Sequence, residues 1–138
     1  MRKTRIIIIV FIVTAICSDI KGQAYQWRGP YRNGIIPETG LMKSWPENGP
    51  ELIWSFNKLG DGHTSIGPGN GRFFITGLNG STGYLFSFDY NGKMLWKKPY
   101  GPEWNENYIG PRSTPVVIDD LVYFQSGLGV VYCFRTSS

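Results

Sequence analysis

The chain has 138 residues, a length that suits at most one small domain, and it carries fourteen Lys and Arg residues against ten Asp and Glu. Residues 1–22 contain four of the basic residues and one of the acids, so the remainder is close to neutral, with ten basic and nine acidic side chains. The basic excess therefore belongs to the N-terminus and gives no support for nucleic-acid binding, which needs a clustered basic face.

The N-terminus has the pattern of a secretory signal. Three basic residues precede the apolar stretch 6–17, "IIIIVFIVTAIC", which is shorter than the roughly 20 residues that span a bilayer. We predict a signal peptide over residues 1–22 and a periplasmic or secreted product. A lipoprotein signal with Cys17 as the lipid site and an N-terminal membrane anchor are the alternatives. With the signal removed, Cys133 is the single cysteine, so no intrachain disulfide is expected.

Residues 23–50 form a lead-in that is rich in glycine, proline and aromatic residues. Four prolines and four glycines in this segment forbid a long helix. The segment is also too apolar for a disordered linker. We predict an ordered, irregular segment that is held onto a larger body by the side chains of Trp27, Tyr31, Leu41 and Trp45.

From residue 51 onwards the chain has the pattern of short β-strands. Apolar and aromatic runs of strand length occur at 51–56, 72–77, 84–89, 93–98, 113–119, 121–127 and 130–134. Glycine-rich separators, among them "GPGNG" (67–71) and "GLG" (127–129), are typical of hairpin turns. Because no window shows the 3.6-residue period of a helix, we predict an all-β fold of antiparallel hairpins.

An internal repeat narrows this fold class. Residues 64–77 align with 113–126, and after a shorter loop residues 85–88 align with 131–134, so the offset moves from 49 to 46. A period near 46 residues with about four strands per unit is typical of a β-propeller blade. A β-sandwich also explains the strands, but it does not explain the repeat. We predict a partial propeller with one whole blade over 63–98 and three strands of a second.

The stretch "FDYNGKMLW" resembles the A-x-D-x-x-T-G-x-x-x-W motif of PQQ-like β-propeller repeats, the quinoprotein alcohol dehydrogenase-like superfamily. "WRGPYRNG" and "ENYIGPRSTPVVIDDLVYFQSG" are similar to the lead-in and second blade of secreted bacterial members. The residues predict that Asp89 accepts hydrogen bonds from the turn containing Asn91 and Gly92. The resemblance implies that Trp96 docks adjacent blades, and that the outermost strand at 51–56 completes the last blade of a closed ring.

Four residues are candidates for ligand contact. The stretch 100–113 is the least strand-like part of the repeats, and in a propeller such a loop lies at one end of the central channel. It contains Trp104, Glu106 and Arg112, and the single histidine, His63, stands where a pore-facing polar residue or a base would lie. The alternatives are a loop that packs through its aromatic residues and an ordinary loop histidine.

No catalytic, metal-binding or cofactor-binding residue is assigned from the sequence. The acidic pair Asp119 and Asp120 aligns with a turn, so turn chemistry explains it. PQQ enters only through the family analogy. The superfamily's dehydrogenases hold it with a calcium site, a catalytic aspartate and often vicinal cysteines, none of which can be assigned here.

Three functions remain open. The leading hypothesis is an exported, non-catalytic binding or assembly scaffold, as in the propeller subunit of the outer-membrane β-barrel assembly machinery. The alternatives are the N-terminal part of a periplasmic PQQ-dependent dehydrogenase and a blade pair that self-associates into a ring. The second repeat has Arg135 in place of the aspartate and lacks the tryptophan strand, which suggests a truncated gene product. The expected partners are the missing blades, a second copy, or proteins of the cell envelope.

Overall fold

The computed structural model describes residues 27–29 and 31–137, and in this part of the chain it contains seven β-strands and no helix. The all-β prediction is confirmed. The predicted signal peptide, residues 1–22, lies outside the described residues. The strands are β1 (Gly67–Gly69), β2 (Arg72–Asn79), β3 (Thr82–Asp89), β4 (Met94–Pro102), β5 (Val116–Ile118), β6 (Leu121–Gln125) and β7 (Val131–Arg135).

The strands form two open antiparallel sheets that follow each other along the chain. The first sheet has four strands in the order β1-β2-β3-β4, and the second has three in the order β5-β6-β7. The alternating aromatic runs form the strands, and two-residue turns at 70–71, 80–81 and 119–120 join neighbouring strands. This arrangement is consistent with a partial propeller-like fold, with four strands in its first unit and three in its second.

The pairing registers reproduce the internal repeat. Arg72 of β2 pairs with Asp89 of β3, and Leu121 of β6 pairs with Arg135 of β7. The first members of these pairs are 49 positions apart and the second members are 46 apart, the same offsets as in the sequence alignment. The similarity between the two halves therefore extends from residue type to backbone pairing.

The main core lies between the two sheets. It joins one face of β2, β3 and β4 to the facing side of the second sheet, and the ring of Tyr100 lies 4.8 Å from that of Phe124 and 5.0 Å from that of Tyr132. Burial of these apolar faces is the main force that holds the sheets together. The buried members are Phe74, Leu85, Tyr100, Val117, Val122 and Phe124, with Trp96, Tyr132 and Phe134 packed against them.

Two glycines let β1 approach the second sheet closely. A Cβ atom on Gly67 would lie 2.1 Å from the backbone oxygen of Pro115, and one on Gly69 would lie 2.5 Å from the Cβ of Val117. Glycine is therefore required here for space. The prediction that 67–71 is entirely a turn is wrong, because only residues 70 and 71 form the turn.

Residues 51–56 do not form the predicted strand. This segment pairs with no strand among the described residues. Its alternation has a different origin, because Trp54 and Phe56 both pack on the face of the first sheet that points away from the second. Their rings lie 6.2 Å and 4.9 Å from the ring of Phe88. Hydrophobic contact with a sheet face produces the same two-residue period as strand pairing.

Two further expectations need correction. β4 extends to Pro102, so the first three residues of the predicted loop 100–113 belong to a strand. The lead-in is not held by aromatic packing on the described sheets. Backbone hydrogen bonds shape its turn instead, since the N–H of Arg32 donates to the carbonyl of Gly29. The exposed side chains include Trp27, Tyr31, Leu41 and Trp45.

The far face of the second sheet is open. Ile118 and Val131 are 55% and 68% exposed, and Cys133 is an exposed free thiol. β7 ends this sheet, and its outer edge pairs with no strand in the part of the chain that the structure describes.

Candidate functional site

Asp89 builds the turn between β3 and β4. Its Oδ1 accepts hydrogen bonds from the backbone N–H groups of Asn91 at 3.0 Å and Lys93 at 2.9 Å. Gly92 adopts a φ of 82°, and a Cβ atom there would lie 2.5 Å from the ring of Trp54. These residues shape the hairpin and accommodate the preceding segment, so their role in this structure is architectural.

Trp96 links the two sheets. Its ring lies 5.8 Å from that of Phe74, and its Nε1 donates to the carbonyl oxygen of Thr136 at 3.3 Å. Trp54 makes the matching contact one unit earlier, because its Nε1 donates to the carbonyl oxygen of Tyr90 at 3.2 Å. Tyr90 and Thr136 occupy the same repeat position, 46 residues apart. The segment around Trp54 therefore contacts the first sheet as β4 contacts the second.

A buried carboxylate links the end of β4 to the turn that follows β6. Glu103 is 4% exposed. Its Oε2 accepts a hydrogen bond from the hydroxyl of Tyr100 at 2.6 Å, and its Oε1 accepts from the N–H groups of Trp104 and Gly127. Burial, followed by the hydrogen bond to Glu103, raises the pKa of Tyr100 well above its ordinary value. Sequence reasoning missed Glu103, since only the fold brings its partners together.

A basic cavity of about 590 Å³ opens where β1 and β5 begin. Three separate segments meet there: the lead-in, the residues before β1 and the loop between β4 and β5. Among the described residues that line it, none is acidic. The lining residues are Trp27, Arg28, Arg32, His63, Ser65, Arg112, Thr114 and Val116.

Arg112 is held in place before any ligand arrives. Its Nη2 donates to the carbonyl oxygens of Asn107 at 2.9 Å and Tyr108 at 3.0 Å. Its guanidinium lies 5.6 Å from the centre of the Trp104 ring, within cation–π range. Trp104 is fixed in turn by an indole hydrogen bond to Asn107. Its other guanidinium N–H groups have no hydrogen-bond acceptor among the described residues, so they can donate to an anion in the cavity.

The lead-in supplies the other two arginines from one tight turn. The N–H of Gly34 donates to the carbonyl of Arg28 at 3.0 Å, and the N–H of Arg32 donates to that of Gly29 at 3.1 Å. Arg32 has a φ of 56°, which a residue with a side chain adopts at a cost. Both arginines of this turn line the cavity.

The structure separates the four predicted ligand-contact residues. His63 and Arg112 line the cavity together. The backbone N–H of His63 donates to the carbonyl of Pro111 at 2.8 Å, which brings the two segments into contact. Trp104 supports Arg112 from outside the cavity lining, and Glu106 is exposed and does not line the cavity. Sequence reasoning missed the lead-in arginines, for which the motif "WRGPYR" is the available signal.

Hydroxyl groups at one repeat position complete the wall. Ser65 and Thr114 lie 49 positions apart in the alignment, and the N–H of Ser65 donates to Oγ1 of Thr114 at 3.3 Å. Both side chains line the cavity. Arginine forks, an imidazole and hydroxyl groups are together suited to holding anionic oxygen groups.

No protein-family model, no curated protein and no solved structure matches this chain. Within the described ranges, no group of three or more His, Cys, Asp or Glu side chains is placed to hold a metal ion. Nor does any helix in these ranges have the length and apolar character needed to cross a membrane.

Proposed function

We propose that the chain is an exported PQQ-like β-propeller repeat protein that acts as a non-catalytic binding or assembly scaffold. The observation that carries the proposal is the matched pair of tryptophan contacts, Trp54 to Tyr90 and Trp96 to Thr136. A repeated contact between successive units is what a propeller needs, because each unit buries its apolar face only against a neighbour. Export rests on the sequence of residues 1–22 alone.

The open face of the second sheet supports an assembly role. Its apolar positions correspond, by the repeat, to positions of the first sheet that are buried against a neighbour: Val131 corresponds to Leu85, which is fully buried. An open apolar face beside an open strand edge favours association. We propose that further propeller strands, from additional blades or from a second copy, cover this face.

Light scattering on the purified protein tests the assembly role. We expect a discrete oligomer, and we expect Val131→Glu to shift it towards monomer because the charge would be buried in the interface. Leu128→Glu is the matched control, since Leu128 is half exposed in the turn beyond β6. A wild-type protein that is monomeric, β-rich and cooperative on melting would contradict self-association. Recovery of cell-envelope proteins on wild-type but not Val131→Glu beads would favour a partner of another kind.

The dehydrogenase alternative has less support from the described residues. By the resemblance it requires calcium ligands, and the lining of the basic cavity includes no carboxylate. The described residues therefore do not fit a calcium–PQQ site, and we derive no step through PQQ. The scaffold proposal expects no dye reduction when PQQ and Ca²⁺ are added together with an alcohol or sugar. Turnover that depends on both additives would overturn it.

A further inference from the structure

We propose that the basic cavity binds a small polyanion, meaning a molecule that carries at least two carboxylate or phosphate groups. The inference concerns Arg28, Arg32 and Arg112 and does not depend on the propeller proposal. Arg28 and Arg32 come from the lead-in turn, and Arg112 comes from the loop before β5. A ligand with a single anionic group would contact the arginines of only one segment, whereas a ligand with two or more could contact both Arg112 and the lead-in arginines.

Charge is the first argument. Three arginines line one cavity, and none of its described lining residues is acidic to offset their charge. Like charges gathered in a concave site raise the local potential and attract anions. Within residues 27–29 and 31–137 the side chains of Arg28 and Arg32 have no hydrogen-bond or ion-pair partner, and the guanidinium of Arg112 has further N–H groups beyond those bonded to Asn107 and Tyr108. Guanidinium groups bind carboxylate and phosphate through paired N–H donors, which gives the site its chemical preference.

Preorganisation is the second argument. Arg112 is fixed by two carbonyl groups and by the Trp104 ring, so ligand binding need not order it. Arg32 sits at a φ of 56°, where glycine would be less strained. A charged residue that lines a cavity and has a strained backbone conformation is a candidate functional position.

Size is the third argument. A cavity of about 590 Å³ falls within the range typical of small-molecule sites. Ser65, Thr114 and His63 also line the cavity and add hydroxyl and imidazole hydrogen-bonding groups. The site therefore fits a compact polyanion better than an extended polymer.

Titration calorimetry with two probes tests the proposal. Citrate presents carboxylates and tripolyphosphate presents phosphates, so their ranking identifies the preferred group. We expect one site per chain, binding that weakens with added salt, and a rise in melting temperature with ligand. Acetate at matched ionic strength should bind at least tenfold more weakly. Equal affinity for acetate and citrate would overturn the proposal, as would the absence of binding by both probes.

Variants distinguish specific binding in the cavity from binding that depends only on the charge of the protein. Arg112→Gln should lower the affinity at least tenfold, and Arg112→Lys should restore only part of it because the fork is lost. Arg135→Gln is the matched control, since Arg135 pairs with Asp120 on the exposed surface, and it should leave the affinity unchanged. Equal losses in Arg135→Gln and Arg112→Gln would contradict a specific site.

Arg32→Gly distinguishes loss of binding from loss of folding. Glycine relieves the strained φ, so this variant should melt no lower than the wild type while binding at least fivefold more weakly. Unchanged affinity in Arg32→Gly would remove the lead-in from the site and overturn the arrangement in which both segments contact the ligand.

Discussion

The side-chain amide of Asn70 donates a hydrogen bond to the backbone carbonyl of Asp119, and the two residues occupy the same position in consecutive repeats. Both have a φ of 52°. The first turn of each sheet thus has a residue with left-handed backbone at the same position, and these two turns are joined by a hydrogen bond. Equivalent positions of the two repeats are therefore similar in sequence and also in direct contact.

Asn70→Gly and Asn70→Ala separate the hydrogen bonds of this residue from its backbone conformation. Asn70 also donates to Oγ1 of Thr136, so either change removes both bonds. Glycine tolerates the positive φ, and we expect it to lower the free energy of unfolding by about 1 kcal/mol. Alanine adds backbone strain, and we expect a loss of about 2 kcal/mol. Urea denaturation measures both; equal losses would mean that the backbone conformation costs nothing.

Trp96→Ala should remove much of the coupling between the sheets. The ring is half buried and its N–H is bonded to Thr136, so we expect the free energy of unfolding to fall by about 3 kcal/mol. Trp45→Ala changes the same residue type at a side chain that is 68% exposed, and should cost less than about 0.5 kcal/mol. Similar losses for the two variants, measured by denaturation, would show that Trp96 does not couple the sheets.

Gly69→Ala should be destabilising through sterics alone. The added Cβ would lie 2.5 Å from the Cβ of Val117, and we expect a loss of about 2 kcal/mol. Gly62→Ala is the control, because its Cβ would lie at ordinary contact distances, 3.4 Å from the Pro111 ring and 3.6 Å from the backbone oxygen of Thr76. Adding Val117→Gly to Gly69→Ala should cost less than the sum of the two single losses, because it removes the Val117 side-chain atoms that the new methyl group would meet. Additive losses would place the cause elsewhere.

Tyr100 should make the stability fall at alkaline pH. Its pKa is raised in the folded protein, chiefly by burial and then by Glu103, whereas in the unfolded chain it is about 10. Below pH 10 the phenol is protonated in both states and its stabilising contribution is complete. Above pH 10 only the unfolded chain loses the proton, so stability declines as the pH rises. Tyr100→Phe should flatten this decline between pH 9 and about 11 in melting experiments; an unchanged slope would assign the decline to other tyrosines.

Glu103→Ala should be among the more destabilising single changes outside the apolar core. It leaves the hydroxyl of Tyr100 and the N–H groups of Trp104 and Gly127 without their acceptor, and we expect a loss of about 3 kcal/mol. Glu106→Ala removes a neighbouring carboxylate that is exposed, and it should change the stability by less than about 0.5 kcal/mol. Denaturation curves for both variants, recorded at pH 7, give the comparison.

The strands were predictable because their signal is local. Alternation such as that of Phe86 and Phe88, with glycine in the flanking turns, favours a strand, and the internal repeat predicted which strands of the two sheets correspond. The β1 strand was missed because Gly67 and Gly69 indicate a turn until the nearness of Pro115 is known. Residues 51–56 have the pattern of a strand but lack a paired neighbour among the described residues, which no local pattern reports.

The candidate site was only half predictable for the same reason. His63 and Arg112 stood out by type and by their loops, and the fold brings them into one cavity. Arg28 and Arg32 belong to a lead-in whose position relative to the sheets is a tertiary fact. Glu103 was hidden in the same way, since a carboxylate in a polar loop gives no sign in the sequence that it will be buried.

The glycines of β1 also affect the angle between the two sheets. The side chains between the sheets increase in size from the glycines of β1 to Trp96 and Tyr100 of β4. The two sheets are therefore closer together at β1 than at β4. When this difference in spacing is repeated from one sheet to the next, successive sheets are rotated about a common axis. In the second sheet Val116 and Ile118 occupy the positions of Gly67 and Gly69. A third sheet packed on the second would lie farther from β5 than the second sheet lies from β1. The angle between the second and third sheets would therefore differ from the angle between the first and second.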